Sequence, residues 1–294
     1  MNIKKEFLTA LEFKPLEPHS DEYLKMLFDY HADQTDNKIQ NKLVSELMVR
    51  YADVSKQLEE KNALLKKHNE NLEELVQEKV NEISASQMAT IHALVKSAES
   101  KDDDTGTHIE RTSNFCRVIA DKLYEKRIYP HIVDETYSEY ISKASPLHDI
   151  GKVGIKDAIL LKPGRLTDEE FVIMKTHAMI GYNTLASVGT LYSENKFIKI
   201  GIEVAKCHHE KWDGSGYPEG LSGEDIPLSA RIMAVSDVYD ALRSRRVYKE
   251  PFSHALTFDI LAEGRGKHFD PVLVEIFLKN DHLFDDIYNR LSGM

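Results

Sequence analysis

The sequence has few of the features that mark secreted and membrane proteins. Only two cysteines occur among 294 residues, and Cys116 and Cys207 lie too far apart to suggest a disulfide framework. No run of about 18 apolar residues is present, and charged residues near the N-terminus interrupt any apolar stretch of the kind found in a signal peptide. These absences predict a protein of the reducing cytoplasm that has no membrane span.

The chain also lacks the excess of positive charge that proteins binding nucleic-acid polymers carry. Its formal net charge is −11 at pH 7, which argues against nonspecific binding to a nucleic-acid backbone. A small anionic substrate is still compatible with this charge, because metal ions and a few local cations dominate the field inside a pocket. Hydrophobic residues make up 41% of the chain, which is enough for a packed core.

Proline and glycine are absent from residues 39–98, a stretch rich in Glu, Lys, Gln, Asn and Leu. Apolar residues recur there at the three- and four-residue spacing of a coiled-coil seam, which Lys61 and His68 interrupt. The seam comprises Val44, Leu47, Tyr51, Val54, Leu58, Leu65, Leu72 and Leu75. The spacing predicts a long helix that forms a parallel homodimer and passes a signal to the next domain. The alternative is one amphipathic helix packed on its own domain.

The segments on either side of this stretch differ from it in composition and in the spacing of their apolar residues. Residues 1–38 are weakly patterned and match no known sensor. Residues 99–294 alternate apolar segments at helical spacing with short turns, which predicts an all-α domain. Its helices are expected at about 108–126, 135–148, 167–188, 196–210, 228–244, 253–263 and 271–280, with a capping box at the start of the third.

His148 and Asp149 are the most informative neighbours in this domain. An imidazole gives one nitrogen to a metal, whereas a carboxylate can bridge two metals, so the pair is a minimal ligand set for a two-metal phosphoesterase. Other candidate ligands in the same domain are His108, His177, His208, His209 and Asp237. Asp237 lies in an apolar stretch, where an unpaired carboxylate is costly. Its alternative roles are an N-cap or a salt bridge to Arg243.

Two longer motifs carry a family resemblance. Residues 148–152, HDIGK, match the HD motif, and residues 208–218, HHEKWDGSGYP, match the GYP motif. Residues 237–242, DVYDAL, follow in the expected order. Residues 95–280 therefore resemble the HD-GYP family of cyclic dinucleotide phosphodiesterases. The resemblance implies an HD-superfamily helical bundle, preceded in this chain by the long coiled-coil helix.

The resemblance implies, by motif position, a set of metal ligands. Its members are His108, His148, Asp149, His177, His208, His209 and Asp237, with Asp149 as the bridge. Mixed nitrogen and oxygen ligands suit Fe or Mn, with Co or Ni also suitable and Mg less so. In some family members an acidic residue before the Thr-Gly-x-His motif helps to bind a third metal. Here that residue is Asp104, and its alternative role is in a solvated acidic turn that caps the next helix.

The resemblance also implies a reaction and a set of substrate contacts. Attack on phosphorus by a metal-bridging hydroxide would hydrolyse cyclic di-GMP to linear pGpG, and onward to GMP if the linear product rebinds. Asp149 and Lys152 would be catalytic, with the Lys152 ammonium holding a phosphate oxygen or protonating the leaving group. The implied substrate contacts are Tyr217, Asp240, Arg246 and Lys249. For Arg246 and Lys249 the alternative is a solvated basic helix end.

Rival functions stay open at this point. A 3′,3′-cyclic GMP-AMP phosphodiesterase would share the metal site and differ only in base contacts. The adjacent pair His208 and His209 and the Gly-Tyr-Pro loop argue against the nucleotidases and dNTP hydrolases of the wider HD superfamily. A non-hydrolysing cyclic dinucleotide receptor is expected to have lost ligands, and every matched position is present here. The sequence does not show whether the regulatory input is a signalling partner protein, a ligand or metal loading.

Overall fold

The structure is a computed structural model that describes residues 25, 29, 38–99, 107–192, 194–244 and 250–292. Within these ranges it contains helices, turns and one isolated bridge between Arg265 and Phe269, and no strand. The prediction of an all-α fold is therefore confirmed. No helix in the described ranges has both the length and the apolar character needed to cross a bilayer. Asp104, Arg246 and Lys249, three of the predicted site residues, lie outside the described residues.

The structure describes eleven α-helices. They are α1 (Lys38–Glu99), α2 (His108–Glu125), α3 (Tyr137–Ala144), α4 (Asp157–Leu160), α5 (Asp168–Lys175), α6 (His177–Gly189), α7 (Lys196–Cys207), α8 (Leu228–Arg243), α9 (His254–Glu263), α10 (Pro271–Lys279) and α11 (Asp281–Ser292). Two 3-10 helices, Ser145–Gly154 and Gly223–Asp225, lie between them. Helix α5 begins with the predicted capping box, in which Thr167 and Glu170 bond each other's backbone N–H groups.

The chain divides into two compact units, Met1–Ser84 and Ala85–Met294. Most of α1 belongs to the first unit, and the predicted seam lies on its surface. Leu58, Leu65 and Leu72 are 50%, 61% and 58% exposed. The long helix of the prediction is present, and its pairing with a second helix stays a prediction.

The core of the second unit packs α2 and α8, the helices that carry His108 and Asp237, against each other and against α11. Phe115 of α2 stacks on Phe284 of α11 at 5.0 Å and meets the edge of Tyr239 of α8 at 5.0 Å. All three side chains are fully buried, and full burial of an aromatic side chain contributes roughly 1.5–3 kcal/mol. Because these rings fix α2 against α8, the start of α2 lies beside the C-terminal half of α8, which contains Asp237 and Asp240.

The 3-10 helix Ser145–Gly154 packs on α6 with almost no side chain between the two backbones. A Cβ atom on Gly151 would lie 1.9 Å from the carbonyl oxygen of His177 and 2.5 Å from the backbone nitrogen of Gly181. Only glycine permits so close an approach. This contact places the HD motif directly against the first turn of α6.

The prediction of one α-helix over residues 135–148 is wrong at its C-terminal end. Helix α3 ends at Ala144, and His148 and Asp149 lie in the 3-10 helix that follows. Pro146 sits at the start of that 3-10 helix. Proline has no N–H to donate to the preceding turn, so the α-helical hydrogen-bond pattern cannot continue through it.

The prediction of one helix over residues 167–188 is also wrong, because the chain bends at Thr176. Both the backbone nitrogen and the hydroxyl of Thr176 donate to the carbonyl of Ile173, at 3.0 and 2.6 Å, which tightens the turn. Consequently His177 is the first residue of α6 instead of lying in mid-helix. The remaining predicted helices are present within a few residues of their expected ends, and α4 and α11 were not predicted.

Candidate metal centre

The seven predicted metal ligands that fall in the described residues converge on one place. They form two groups, each with its potential ligand atoms within 4.8 Å of one another. One group is His108, His148 and Asp237, and the other is Asp149, His177, His208 and His209. Every member is buried or half-buried. The structure thus brings together residues that are separated by up to 129 positions in the sequence, from His108 to Asp237.

Helix ends and the HD motif supply most of these side chains. His108 and His177 are the first residues of α2 and α6, and His208 follows the last residue of α7. Asp237 projects from within α8, the most buried helix of the domain. Because backbone hydrogen bonding is incomplete at helix ends, histidines placed there find carbonyl partners for their rings.

Asp149 lies between the two groups. Its Oδ1 is 3.3 Å from Nε2 of His177 and 3.7 Å from Nε2 of His208. Its Oδ2 is 3.3 Å from Nε2 of His148. Within the group of His108, His148 and Asp237, the Oδ1 atom of Asp237 is 4.0 Å from His148 Nε2 and 3.8 Å from His108 Nε2. One oxygen of the Asp149 carboxylate therefore faces each group.

Backbone carbonyls fix the orientation of three of the histidine rings. Each ring points its Nδ1 atom at a carbonyl oxygen of its own chain segment: His148 at Ser145 (2.8 Å), His177 at Met174 (2.8 Å) and His208 at Val204 (2.7 Å). A carbonyl only accepts hydrogen bonds, so each Nδ1 is the donor. With Nδ1 as the donor, the Nε2 atom of each ring is directed into the site, as a metal ligand requires.

His108 is oriented by a carboxylate instead. Its Nδ1 lies 2.7 Å from Asp240 Oδ2, and Asp240 also accepts from Arg111 Nε at 2.5 Å and Arg111 Nη2 at 2.8 Å. Asp240 is fully buried. The family resemblance implies Asp240 as a substrate contact, an acceptor for a guanine edge, but in this placement both of its carboxylate oxygens accept from buried side chains of the protein.

Two buried polar atoms fit a metal ligand set. His148 Nε2 and Asp149 Oδ1 have no hydrogen-bond partner among the described residues, although both atoms are buried. Leaving such atoms unsatisfied is costly in a folded protein. Both point into the space that the two groups enclose, and the donor set of imidazole nitrogens and carboxylate oxygens suits a divalent transition metal. The residues present therefore fit the implied metals.

The electrostatics of the site favour neutral imidazoles beside an ionised carboxylate. Burial lowers the pKa of His208 well below its ordinary value and that of His209 to about 4, so both rings are neutral at pH 7. Burial by itself would raise the pKa of Asp149, but Lys152 and the nearby histidines outweigh burial and hold this pKa well below its usual range. Metal ligands must be unprotonated, and these three groups meet that condition.

The pKa of His148 shifts in the opposite direction from those of His208 and His209. Burial lowers the pKa of its imidazole, but the carboxylates of Asp149 and Asp237 outweigh burial and raise that pKa above the ordinary value. These carboxylates thus favour a positive charge at this position. A metal cation bound by the ring would supply that charge in place of a proton.

Lys152 and Tyr217, two of the predicted substrate-handling residues, lie beside the metal ligands. Lys152 Nζ is 2.8 Å from Asp149 Oδ2. The Tyr217 ring stacks on the ring of His209 with a centroid distance of 4.7 Å and an interplanar angle of 30°. Tyr217 also lies under the ammonium of Lys175, 5.5 Å from its ring centroid. The GYP loop therefore places an aromatic ring next to the metal ligands, and the 3-10 helix and α5 add the cations Lys152 and Lys175.

Sequence reasoning missed two buried residues that organise the site. Arg111 holds Asp240, and it follows His108 by one helical turn, a spacing that marks it as a neighbour of a ligand. Glu210 directly follows the His doublet and is buried. Its carboxylate accepts the backbone N–H groups of Glu219 at 2.8 Å and Leu221 at 3.1 Å, which closes the GYP loop.

Comparison with known proteins identifies the family. The model of the HD domain family matches residues 54–273, about three quarters of the chain. The chain therefore belongs to the HD domain family. The resemblance to HD-GYP proteins, predicted from the two motifs, is confirmed by this match together with the relatives described next.

Several curated relatives are similar to most of this chain. A "Probable cyclic di-GMP phosphodiesterase" of Vibrio cholerae is 46% identical over 230 residues, which cover 78% of this chain and 52% of the relative. A "Cyclic di-GMP phosphodiesterase" of the same species is 48% identical over 204 residues, covering 69% and 42%. The "3'3'-cGAMP-specific phosphodiesterase 2", also of Vibrio cholerae, is 40% identical over 190 residues, covering 65% and 34%. The chain thus spans about half the length of these relatives or less.

Proposed function

We propose that this protein is a metal-dependent phosphodiesterase that hydrolyses cyclic di-GMP to linear pGpG, and onward to GMP if the linear product rebinds. The observation that carries the proposal is the position of Asp149, whose two oxygens face separate groups of histidines. A carboxylate so placed suits the bridge of a two-metal site for phosphate esters. The names of the two relatives that are 46% and 48% identical support cyclic di-GMP as the substrate.

The proposed ligands of two metals are the two groups of side chains described above. His108, His148 and Asp237 would hold one metal, and His177, His208 and His209 the other, with Asp149 shared. Nitrogen and oxygen donors together favour Fe or Mn, with Co or Ni as further possibilities. When bound, such metals supply an activated water and stabilise negative charge on the phosphoryl oxygens.

The side chains around the metals would position the substrate. The Lys152 ammonium lies within hydrogen-bond distance of Asp149, close enough to the metal site to hold a non-bridging phosphate oxygen or to protonate the leaving ribose oxygen. Tyr217, stacked on His209, would pack against a base or reach a phosphate. Arg246 and Lys249 are proposed as further substrate contacts from their place in the family motif.

A third metal is proposed from the sequence alone. Asp104 precedes Thr105 and Gly106 and lies four residues before His108. An acidic residue at this position would add a ligand on the His108 side of the centre. Replacing Asp104 with Ala is expected to cost about one metal per chain if the centre holds three metals. Unchanged stoichiometry in D104A, compared with the wild type, would reject the third site.

The second candidate substrate is 3′,3′-cyclic GMP-AMP. A relative with this specificity in its name is 40% identical to this chain. The metal ligands would be the same for both substrates, so the preference depends on the contacts to the bases. Base contacts of this kind are made by polar and aromatic side chains at the rim of the site.

We further propose that the protein works as a homodimer in the cytoplasm. The exposed leucines of α1, at the spacing of a coiled-coil seam, suit pairing with a second copy. A dimer of this kind would place the long helices as input elements, through which a signalling partner protein or a ligand would control the domain.

The test is turnover by anaerobically purified protein loaded with Fe or Mn. Cyclic di-GMP, cyclic GMP-AMP, bis-p-nitrophenyl phosphate and dGTP are supplied separately, and the products are separated by chromatography. The proposal predicts pGpG from cyclic di-GMP. Hydrolysis of dGTP alone would overturn it in favour of a nucleotide hydrolase, and binding of cyclic di-GMP without hydrolysis would favour a receptor.

A further inference from the structure

One histidine of the centre differs from the others in what holds its ring. The Nδ1 atoms of His148, His177 and His208 point at neutral carbonyl oxygens. The Nδ1 atom of His108 points at the carboxylate of Asp240, at 2.7 Å. The two proposed metal positions therefore differ in their surroundings, because His108 belongs to only one of the two groups.

Arg111 fixes the Asp240 carboxylate in place. Its guanidinium donates from Nε to one carboxylate oxygen and from Nη2 to the other, and both side chains are buried. Such a two-bond fork restricts the rotation of a carboxylate more than a single bond does. The Oδ2 atom of Asp240 also accepts from His108 Nδ1 and from the Ser244 hydroxyl, 3.2 Å away.

The same guanidinium connects the start of α2 to the end of α8. It donates to the hydroxyl of Thr107, the residue before α2, and to the hydroxyl of Ser244, the residue after α8, at 2.9 Å. The network thus ties the backbone that carries His108 to the helix that carries Asp237. These residues are the two members of the first group that lie outside the HD motif.

A carboxylate on Nδ1 changes what a histidine does at Nε2. Because Asp240 only accepts hydrogen bonds when ionised, the Nδ1 of His108 keeps its proton and Nε2 keeps its lone pair. The negative charge also raises the basicity of the ring, which strengthens a metal bond at Nε2. A backbone carbonyl gives the same orientation without the full charge.

We propose that Arg111 and Asp240 are positioning residues that hold His108 in its Nδ1–H tautomer and so set the metal affinity of the group His108, His148 and Asp237. This inference rests on the proposed metal centre. Under this inference, Asp240 bonds to the metal-ligating residue His108 and not to a base of the substrate. The two metal positions are also expected to respond differently when the network is cut.

The first test measures metal affinity in the full chain. Mn²⁺ is titrated into metal-free wild type and D240N, and free Mn²⁺ is followed by electron paramagnetic resonance. Loss of such a partner typically weakens metal binding about 10–100-fold. The expected result is therefore one site weakened by that factor and one site unchanged. Two sites with wild-type affinity in D240N would overturn the proposal.

A control separates this effect from general damage to a buried ion pair. Arg231 and Asp270 form a second buried pair, at 2.6 Å. Within the described part of the chain, these two side chains bond to each other, Ile226, Tyr129 and Val272, and to none of the seven proposed ligands. D270N removes the same charge as D240N. It is expected to lower stability but to keep both Mn²⁺ affinities, so equal losses of Mn²⁺ in both variants would contradict a specific role for Asp240.

A buried arginine left without its partner is costly, so D240N could unfold. The double variant R111Q/D240N removes both charges and avoids that cost. It is expected to fold with the same single weakened Mn²⁺ site. A folded double variant with two wild-type sites would also overturn the proposal.

The second test reads the tautomer directly and needs no metal. Protein labelled with ¹⁵N-histidine is studied in the metal-free state, where ring nitrogen shifts distinguish Nδ1–H from Nε2–H. His108, assigned with H108Q, is expected to be Nδ1–H in the wild type and to lose this preference in R111Q/D240N. An unchanged tautomer would refute the positioning role. A wild type that binds no Mn²⁺ at all would instead contradict the proposed function.

Discussion

At the scale of single residues, the site depends on which atom of each side chain faces inward. The motifs predicted which histidines and aspartates come together in the fold. They could do so because few residue types bind metals, and because the family resemblance fixes the order of those residues along the chain. They did not predict that Asp240 is buried against Arg111 and His108. That placement depends on the packing of α2 on α8 through distant aromatic residues such as Phe115 and Tyr239, which no local pattern encodes.

Asp134 and Lys196 provide a pH-dependent prediction away from the site. Bonds from Lys196 and Thr136 lower the pKa of Asp134 from 3.8 to about 2. A lowered carboxyl pKa stabilises the fold above the unfolded value, and this contribution is lost as the pH falls from about 4 towards 2. Both side chains are about half exposed, so K196A should cost less than about 1 kcal/mol at pH 7.

Urea unfolding of the wild type and K196A at pH 7 and pH 3 measures this contribution. The difference between the two proteins should shrink at pH 3, because Asp134 is then increasingly protonated in the unfolded chain. The exposed Lys199 supplies the control, K199A. A K196A penalty that grows at pH 3 would mean that Lys196 does not act through Asp134.

At the scale of secondary-structure elements, helix ends and one close backbone contact build the centre. The sequence pattern located most helices, because apolar periodicity follows burial. It failed at the 3-10 helix and at the bend before His177, which depend on Pro146 and on the two bonds that Thr176 makes to Ile173. Both departures from the regular pattern carry proposed metal ligands, as is common at functional sites.

The contact between Gly151 and α6 is the most sensitive point at this scale. A methyl group there would overlap the carbonyl of His177 at 1.9 Å. G151A should therefore push the HD motif away from α6 and lower stability by about 1–3 kcal/mol or more. Metal content should fall as well, because His177 and Asp149 move apart.

Gly154 of the same 3-10 helix provides the matched control. The atoms nearest to a Cβ at this position are Cδ1 and Cγ2 of the Ile180 side chain, both at 3.0 Å, and not backbone atoms. G154A is therefore expected to retain the metal and to unfold close to the wild-type temperature. Thermal unfolding and metal analysis of both variants test the pair, and wild-type behaviour of G151A would contradict the described packing.

At the scale of the whole molecule, the chain carries a long helix with exposed leucines and a domain that is proposed to bind an anionic substrate. The net charge of −11 belongs to the whole chain, whereas substrate would meet the local cations Lys152 and Lys175 and the metals themselves. The sequence alone predicted the family, because motifs of this length are specific. It does not reveal the base preference, which depends on side chains around the rim and not on the metal ligands.

Oligomeric state tests the proposal for α1. Light scattering after size exclusion should give twice the mass of the chain for the wild type. The variant L65D/L72D puts charges into the exposed seam and should give a monomer. The control A63D/Q77D adds the same charges away from the seam and should stay dimeric. A wild-type monomer, or a dimeric L65D/L72D, would contradict pairing through this seam.

Asp149 is proposed to bridge two metals in a cyclic di-GMP phosphodiesterase. The most direct test of this role is to compare anaerobically purified wild type and D149A for metal content and for pGpG formation from cyclic di-GMP. At least two Fe or Mn ions per wild-type chain, fewer in D149A, and no measurable hydrolysis by D149A are expected. Full activity of D149A with an unchanged metal content would contradict the bridging role.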